Sequence, residues 1–442
     1  MEHKEKFRKD FARNISLGVL SMAGQSLFIL ADTFFIANGV GAEGLAALNI
    51  VLPVVNIFNG LGWMVGIGGG TLFATSLGKG ELNKANSYFS FTTVFASIIG
   101  LLFILFSWLY SHQILSFLGA SGEIYILAKE YYDIIATFSV FFILNNMFIT
   151  FLRNDHNPKL AMIAFSSGGL LNIVLDYIFI FPFDMGMAGA AWASIISPIA
   201  SLAILSLHIK NPHRELMFTK FTRNIKTAGR ILALGFSSFL NEFSSALIMF
   251  LFNIVLLQLV GNIAVSAYAV IANMNIIAIA IFTGIGQGMQ PLISINYGAR
   301  NYDIVKKTLK YGLITASITG AIFFLCGLLF SPAIVGIFNG NNNEIMAAIA
   351  EPGVRIYFAS FLFTGINFIL IFFTASIGKS RLSLIISVLR GLVLIIPILY
   401  VMKNVMGVTG VWITMPIVEL LTLLVGVFVL FYLMKKTPTR LN

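Results

Sequence analysis

Gly66-Ile-Gly-Gly-Gly70 and Gly284-Ile-Gly-Gln-Gly288 are two versions of one stretch, and their setting decides the fold. The first lies in the apolar run Leu45–Leu77 and the second in Ala264–Ile295. A glycine-and-base turn follows each, Leu77-Gly-Lys-Gly80 and Tyr297-Gly-Ala-Arg300. Both runs exceed the roughly 20 residues that a helix needs to cross a bilayer, so tilting or bending is expected. Pro53 and Pro291 mark the expected bends, which are tolerated where neighbouring helices re-satisfy the backbone.

Working outward, ten further apolar runs have spanning length. In the first half they are Ile15–Asn38, Ser87–Ser111, Tyr131–Leu152, Leu160–Phe181 and Met187–Ile209. In the second they are Ile231–Val260, Tyr311–Ser331, Ile356–Ile377, Leu382–Met402 and Val408–Met434. Met185-Gly-Met-Ala-Gly189 recurs as Met406-Gly-Val-Thr-Gly410, again about 220 residues on, and the loops Pro158-Lys159 and Ser380-Arg381 correspond. The expected architecture is all-α and integral to the membrane, with twelve spans in two six-helix lobes. The lobes are 1–209 and 231–442, joined by a hydrophilic linker over 210–230. Six spans per half is even, so the halves share one orientation, as in parallel-repeat transporters. Such a duplicated bundle suits two lobes that rock about a central cavity.

Composition supports this reading. The chain is 58% apolar and 10% charged, against about 25% charged for a soluble protein. The net charge of +10 does not point to nucleic acid. All but four of the 28 Lys and Arg residues fall in seven clusters, each two apolar runs from the next. Short basic loops stay cytoplasmic, so this spacing predicts both termini inside. The first apolar run is too long for the core of a cleavable signal and reads as a retained span. Cys326 cannot form an internal disulfide and reads as apolar filler. No phosphate-binding glycine loop, nucleophile motif or His/Cys/Glu metal spacing is evident, which argues against an ATPase or an enzyme.

Ionisable groups within spans are costly and usually face a cavity or a partner. Asn172 and Asp176 are four apart and share a helical face; Asp32 and Ser194 stand on two other spans. Together they offer carboxylate, amide and hydroxyl oxygens, the hard ligands a small cation favours. Without a cation, two close carboxylates are expected to share a proton near neutral pH. At an offset of 221, Asn172, Asp176 and Ser194 fall opposite Val393, Pro397 and Met415, so the set belongs to one half alone. Glu242 is read either as a gating or substrate-attracting acid or as a locally bonded one. Gln287 and Gln290, beside Pro291, are candidates for the cavity wall. Arg390 and Glu419 are expected to pair across spans eleven and twelve, and Asn145, Asn146, Asn273 and Asn275 to bond between helices.

Leu-Ala-Asp32-Thr-Phe-Phe-Ile, Gly39-Val-Gly41, Leu-Asn172-Ile-Val-Leu-Asp176 and Gly189-Ala-Ala-Trp-Ala-Ser194, in this order, resemble the multidrug and toxic compound extrusion (MATE) family. The likeness extends through Gly284–Pro291 and Asn296–Ala299. It implies two lobes around a V-shaped cavity and antiport of cationic, lipophilic small molecules against Na⁺ or H⁺. It also implies a cation site at Asp32, Asn172, Asp176 and Ser194, where the family more usually has threonine, and a span-seven acid like Glu242. Span ten offers Asn367 but no acid, and span one has Gly18 where many members have proline. Both departures favour coupling through the first lobe. A monomer in the cytoplasmic membrane of a bacterium, with no cofactor beyond the coupling ion and no nucleic-acid partner, completes the expectation. The competing readings are a flippase for lipid-linked sugars, which calls for several cavity arginines or lysines, and an uncoupled channel or scaffold.

Overall fold

A computed structural model describes residues 2–221, 224–339 and 343–436. Arg223 of the linker and Arg440 of the last basic cluster lie outside the described residues. The fold is all-helical: α1 (Glu2–Gly39), α2 (Ala42–Gly78), α3 (Leu82–Phe117), α4 (Gly122–Thr137), α5 (Ser139–Asn154), α6 (Pro158–Ile180) and α7 (Gly186–Ser206), then α8 (Ile225–Leu259), α9 (Asn262–Gly298), α10 (Tyr302–Phe338), α11 (Glu344–Tyr357), α12 (Phe361–Ser376), α13 (Ser380–Val388) and α14 (Ile395–Lys436). Helix is the physical default here, because lipid offers no partner for a free backbone amide or carbonyl.

Ten segments are long and apolar enough to cross a bilayer, and α4 with α5 make another, bent by 51°. One of the ten, Ser380–Phe431, is broken at Gly407 (φ 56°, ψ −131°) into two spans, which makes twelve among the described residues. Leu101, Leu102, Leu105 and Leu109 of α3 and Leu325, Leu328 and Leu329 of α10 are exposed, as side chains facing acyl tails should be.

The duplication is written into the backbone as well as the sequence. Gly41 (φ 94°, ψ −168°) caps α2, and Gly261 (φ 90°, ψ −163°) caps α9. Gly80 and Arg300 both take positive φ, as do Gly186 and Gly407. Non-helical residues interrupt α3 at Tyr110 and α10 at Phe330, with nearly identical dihedrals. Each pair is separated by 220 or 221 residues. Pro53 and Pro291 lie within unbroken helical segments of α2 and α9, and the non-helical residues Tyr110 and Phe330 come one span later.

Packing resolves two compact units, Ser16–Phe243 and Met1–Ile15 with Ser244–Asn442. The divisions fall inside α1 and α8, the first helix of each half. Glycines explain why. A Cβ on Gly68 of α2 would stand 2.0 Å from the Ile231 carbonyl oxygen at the start of α8, within the first unit. A Cβ on Gly288 of α9 would stand 2.6 Å from the Asn14 carbonyl oxygen near the start of α1, within the second. The repeated glycine motif thus seats the opening turns of α8 in one unit and of α1 in the other. These contacts are too close for any side chain.

Candidate cation site

Within the first unit, α1 and α6 run parallel and in close register. Gly24 meets Ser166, Phe28 meets Gly169, and Gly39 meets Ile180; Phe35 packs against Tyr177 with ring centroids 6.2 Å apart. Every one of these pairs is 141 or 142 residues apart in sequence. The register sets Asp32 level with residues 173 and 174, between Asn172 and Asp176. Small residues make the approach possible: Gly24 and Gly169 face α1–α6, and Gly168 faces Ser197 of α7 with its Cβ position 3.0 Å from that carbonyl oxygen. Asp32, Asn172, Asp176 and Ser194 are all buried.

Tyr131 of α4 completes the group. It is 3% exposed, its phenol lies within reach of Ser194, and it interacts electrostatically with Asp32 and Asp176. Asp176 in turn feels the charge of Asp32. Among the described residues, none gives a hydrogen bond to Asp32 Oδ1, to either oxygen of Asp176, or to the Asn172 amide. Buried polar groups are nearly always satisfied, so an unmatched set of this kind fits a small cation that ligates through oxygen. No three His, Cys, Asp or Glu side chains gather as a metal site among the described residues.

The candidates for gating, for a cavity wall and for interhelical bonding lie on other helices. Glu242, half-buried on α8, lies against Gly60 of α2 within the first unit. Gln287 and Gln290 are 3% and 1% exposed on α9, in the second unit, and both are engaged by partners. Asn146 donates to Asn59 at 3.1 Å between α5 and α2, as expected of an interhelical amide. Asn273 instead bonds its own helix at Ala269. Arg390 and Glu419 pair at 2.6 Å, as expected.

Two features had no mark in the sequence reading. Tyr131 sits in Lys129-Glu-Tyr-Tyr-Asp133, which reads as an interfacial aromatic pair; only the fold turns it inward. The second is a strap. Asp155, after α5, is buried and accepts from His208 Nε2 at 2.5 Å and from the Glu215 and Leu216 amides at 3.0 and 3.2 Å. Asn86 and Ser90 of α3 accept from the Met217 and Thr219 amides. The linker is thereby fastened along the first unit by backbone donors, which no side-chain pattern announces.

A family model described as MatE matches residues 19–178 and 237–401, one block in each half. A multidrug export protein, MepA, of Staphylococcus saprophyticus is 28% identical over 412 residues, spanning 92% of this chain and 90% of the relative. MepA of Staphylococcus aureus strain N315 is 27% identical over 409 residues, with the same coverage. Among solved structures, an outward-facing multidrug resistance MATE transporter superposes with a TM-score of 0.89 at 24% identity, covering 95% of this chain and 94% of its own. A Vibrio cholerae MATE transporter superposes at 0.91 with 19% identity over 99% of both chains. At those identities the structures speak for the fold.

Proposed function

The chain belongs to the MatE family, the multidrug and toxic compound extrusion transporters, and we propose that it is a secondary antiporter that exports cationic, lipophilic small molecules in exchange for Na⁺ or H⁺. Support comes from the buried cluster of Asp32, Asn172, Asp176, Ser194 and Tyr131, in which both oxygens of Asp176 and Oδ1 of Asp32 lack a protein partner among the described residues. The multidrug-export names of the relatives favour small-molecule cargo.

An empty cluster leaves two carboxylates close together in a poorly polarisable setting, where like charges repel strongly. A bound Na⁺, or a proton, removes that repulsion. Occupancy therefore biases how α1 lies on α6, and α1 is a single helix of 38 residues. A ligand shifts such an equilibrium only by its differential affinity for the two states. The carboxylates provide that difference: they gain a cation in the state that opens to high ion concentration and release it in the other. Glu242 supplies a negative charge that attracts a cationic cargo. The basic loops orient the protein with both termini in the cytoplasm, in the inner membrane of a bacterium.

The flippase reading needs arginines or lysines free to hold a pyrophosphate. Arg390 is committed to Glu419, and Arg355 to Ser331 and Glu351. The test is efflux of an ethidium-type dye from proteoliposomes under an imposed Na⁺ or pH gradient, applied separately. One gradient should drive export by the wild type and fail to drive it in folded Asp176→Asn. Absence of export under both gradients would overturn the proposal.

A further inference from the structure

The second unit buries a carboxylate cluster of its own, on the spans that repeat those of the first. Glu419 of α14 is fully buried. Asn367 of α12 donates to its Oε2 at 2.7 Å and to its backbone oxygen at 2.9 Å. The guanidinium of Arg390 donates through Nε to Oε1 at 2.6 Å and lies 4.5 Å from the Phe368 ring centroid. Tyr357 interacts with both charges. Arg390 stands in a π-helical turn, Leu389–Val393, at the end of α13, an irregularity found often at functional sites.

Neutral oxygens accompany this pair as they accompany Asp32 and Asp176: Asn367 Oδ1 and the Tyr357 hydroxyl are buried without partners among the described residues. Stability alone does not call for the ion pair, because apolar replacements of buried pairs are often neutral or stabilising. The two clusters differ in charge balance. Glu419 is matched by an arginine, whereas among the described residues no salt bridge reaches Asp32 or Asp176. A mobile cation is needed in the first cluster and redundant in the second.

We propose that the Arg390 guanidinium is the resident cation of the second unit, excluding inorganic cations from the pocket made by Glu419, Asn367 and Tyr357. Ion exchange is then confined to the Asp32–Asp176 cluster, with at most one cation site per chain. The inference rests on the antiport reading and specifies which half couples.

The test is equilibrium binding of ²²Na⁺ to the purified full-length protein. Asp176→Asn should show no saturable Na⁺ site. Adding Arg390→Met, which keeps the side-chain length and removes the charge, should create one site, and adding Glu419→Gln to that should abolish it. Arg390→Lys keeps a cation in place and should create none. Saturable Na⁺ binding in Asp176→Asn that Glu419→Gln removes would overturn the proposal. So would a folded Asp176→Asn/Arg390→Met protein that gains no site. If Arg390→Met does not fold, Asp176→Asn and Asp176→Asn/Glu419→Gln decide together: no saturable Na⁺ that depends on Glu419 sustains the proposal, and a site present in the first and absent from the second overturns it. Failure of the antiport reading shows separately, as loss of gradient-driven dye export in the wild type.

Discussion

Asp176→Asn should make the protein more stable and less able to couple. Both oxygens of Asp176 and one of Asp32 are buried without a protein donor, and an unsatisfied buried polar group costs about 1–3 kcal/mol, more when charged. Asparagine removes one charge and adds a donor that Asp32 can accept. Without coupling ion, the variant should therefore exceed the wild type by about 1–3 kcal/mol in unfolding free energy. The coupling ion should reverse that order. A ligand present at a hundred times its Kd adds about 2.7 kcal/mol to the form that binds it, and only the wild type keeps the complete site. The assay is the thermal unfolding midpoint in detergent, in Na⁺ against choline and across pH, beside dye efflux. A variant less stable than wild type in every medium, with wild type indifferent to the ion and coupling intact, would show the cluster to be helix-packing polarity and refute the reasoning.

Other positions test the fold that holds the site. Gly68→Val should destabilise by about 1–3 kcal/mol, the usual range for overpacking, because its Cβ falls 2.0 Å from a backbone carbonyl; Gly229→Ala, in open space on α8, should be neutral or gain up to about 1 kcal/mol. Unfolding midpoints of the two variants check both. Asp155→Ala leaves His208 and two amides without their acceptor and should cost about 3–5 kcal/mol; limited proteolysis should then cut within 211–221, and an uncut linker would contradict the strap. Arg300 holds φ 62° where its repeat partner is Gly80. A left-handed L-residue costs about 1–2 kcal/mol and glycine returns about 0.5–1 of that as chain entropy, so Arg300→Gly should gain about 0.5–1 kcal/mol in a thermal melt.

Half of the backbone's own symmetry was invisible in side-chain identity. Gly41 and Gly261 recur as the same residue, but Tyr110 and Phe330, or Gly80 and Arg300, share only a conformation. Pro53 and Pro291 lie within unbroken helical segments, while the dihedral breaks fall at Tyr110 and Phe330, which no composition rule singles out.

The sequence by itself determined that the chain is a duplicated helical membrane protein and that Asp32, Asn172, Asp176 and Ser194 are out of place in lipid. Hydrophobic length, basic loops and the cost of a buried charge are local quantities, legible one residue at a time. Only the tertiary structure decided which polar groups meet. The α1–α6 register brings Asp32 between Asn172 and Asp176, and Tyr131 turns toward them from α4. Glu419 receives its arginine within the second unit, and backbone amides of the linker find Asp155. These outcomes depend on how closely helices approach, which glycines permit and only packing fixes.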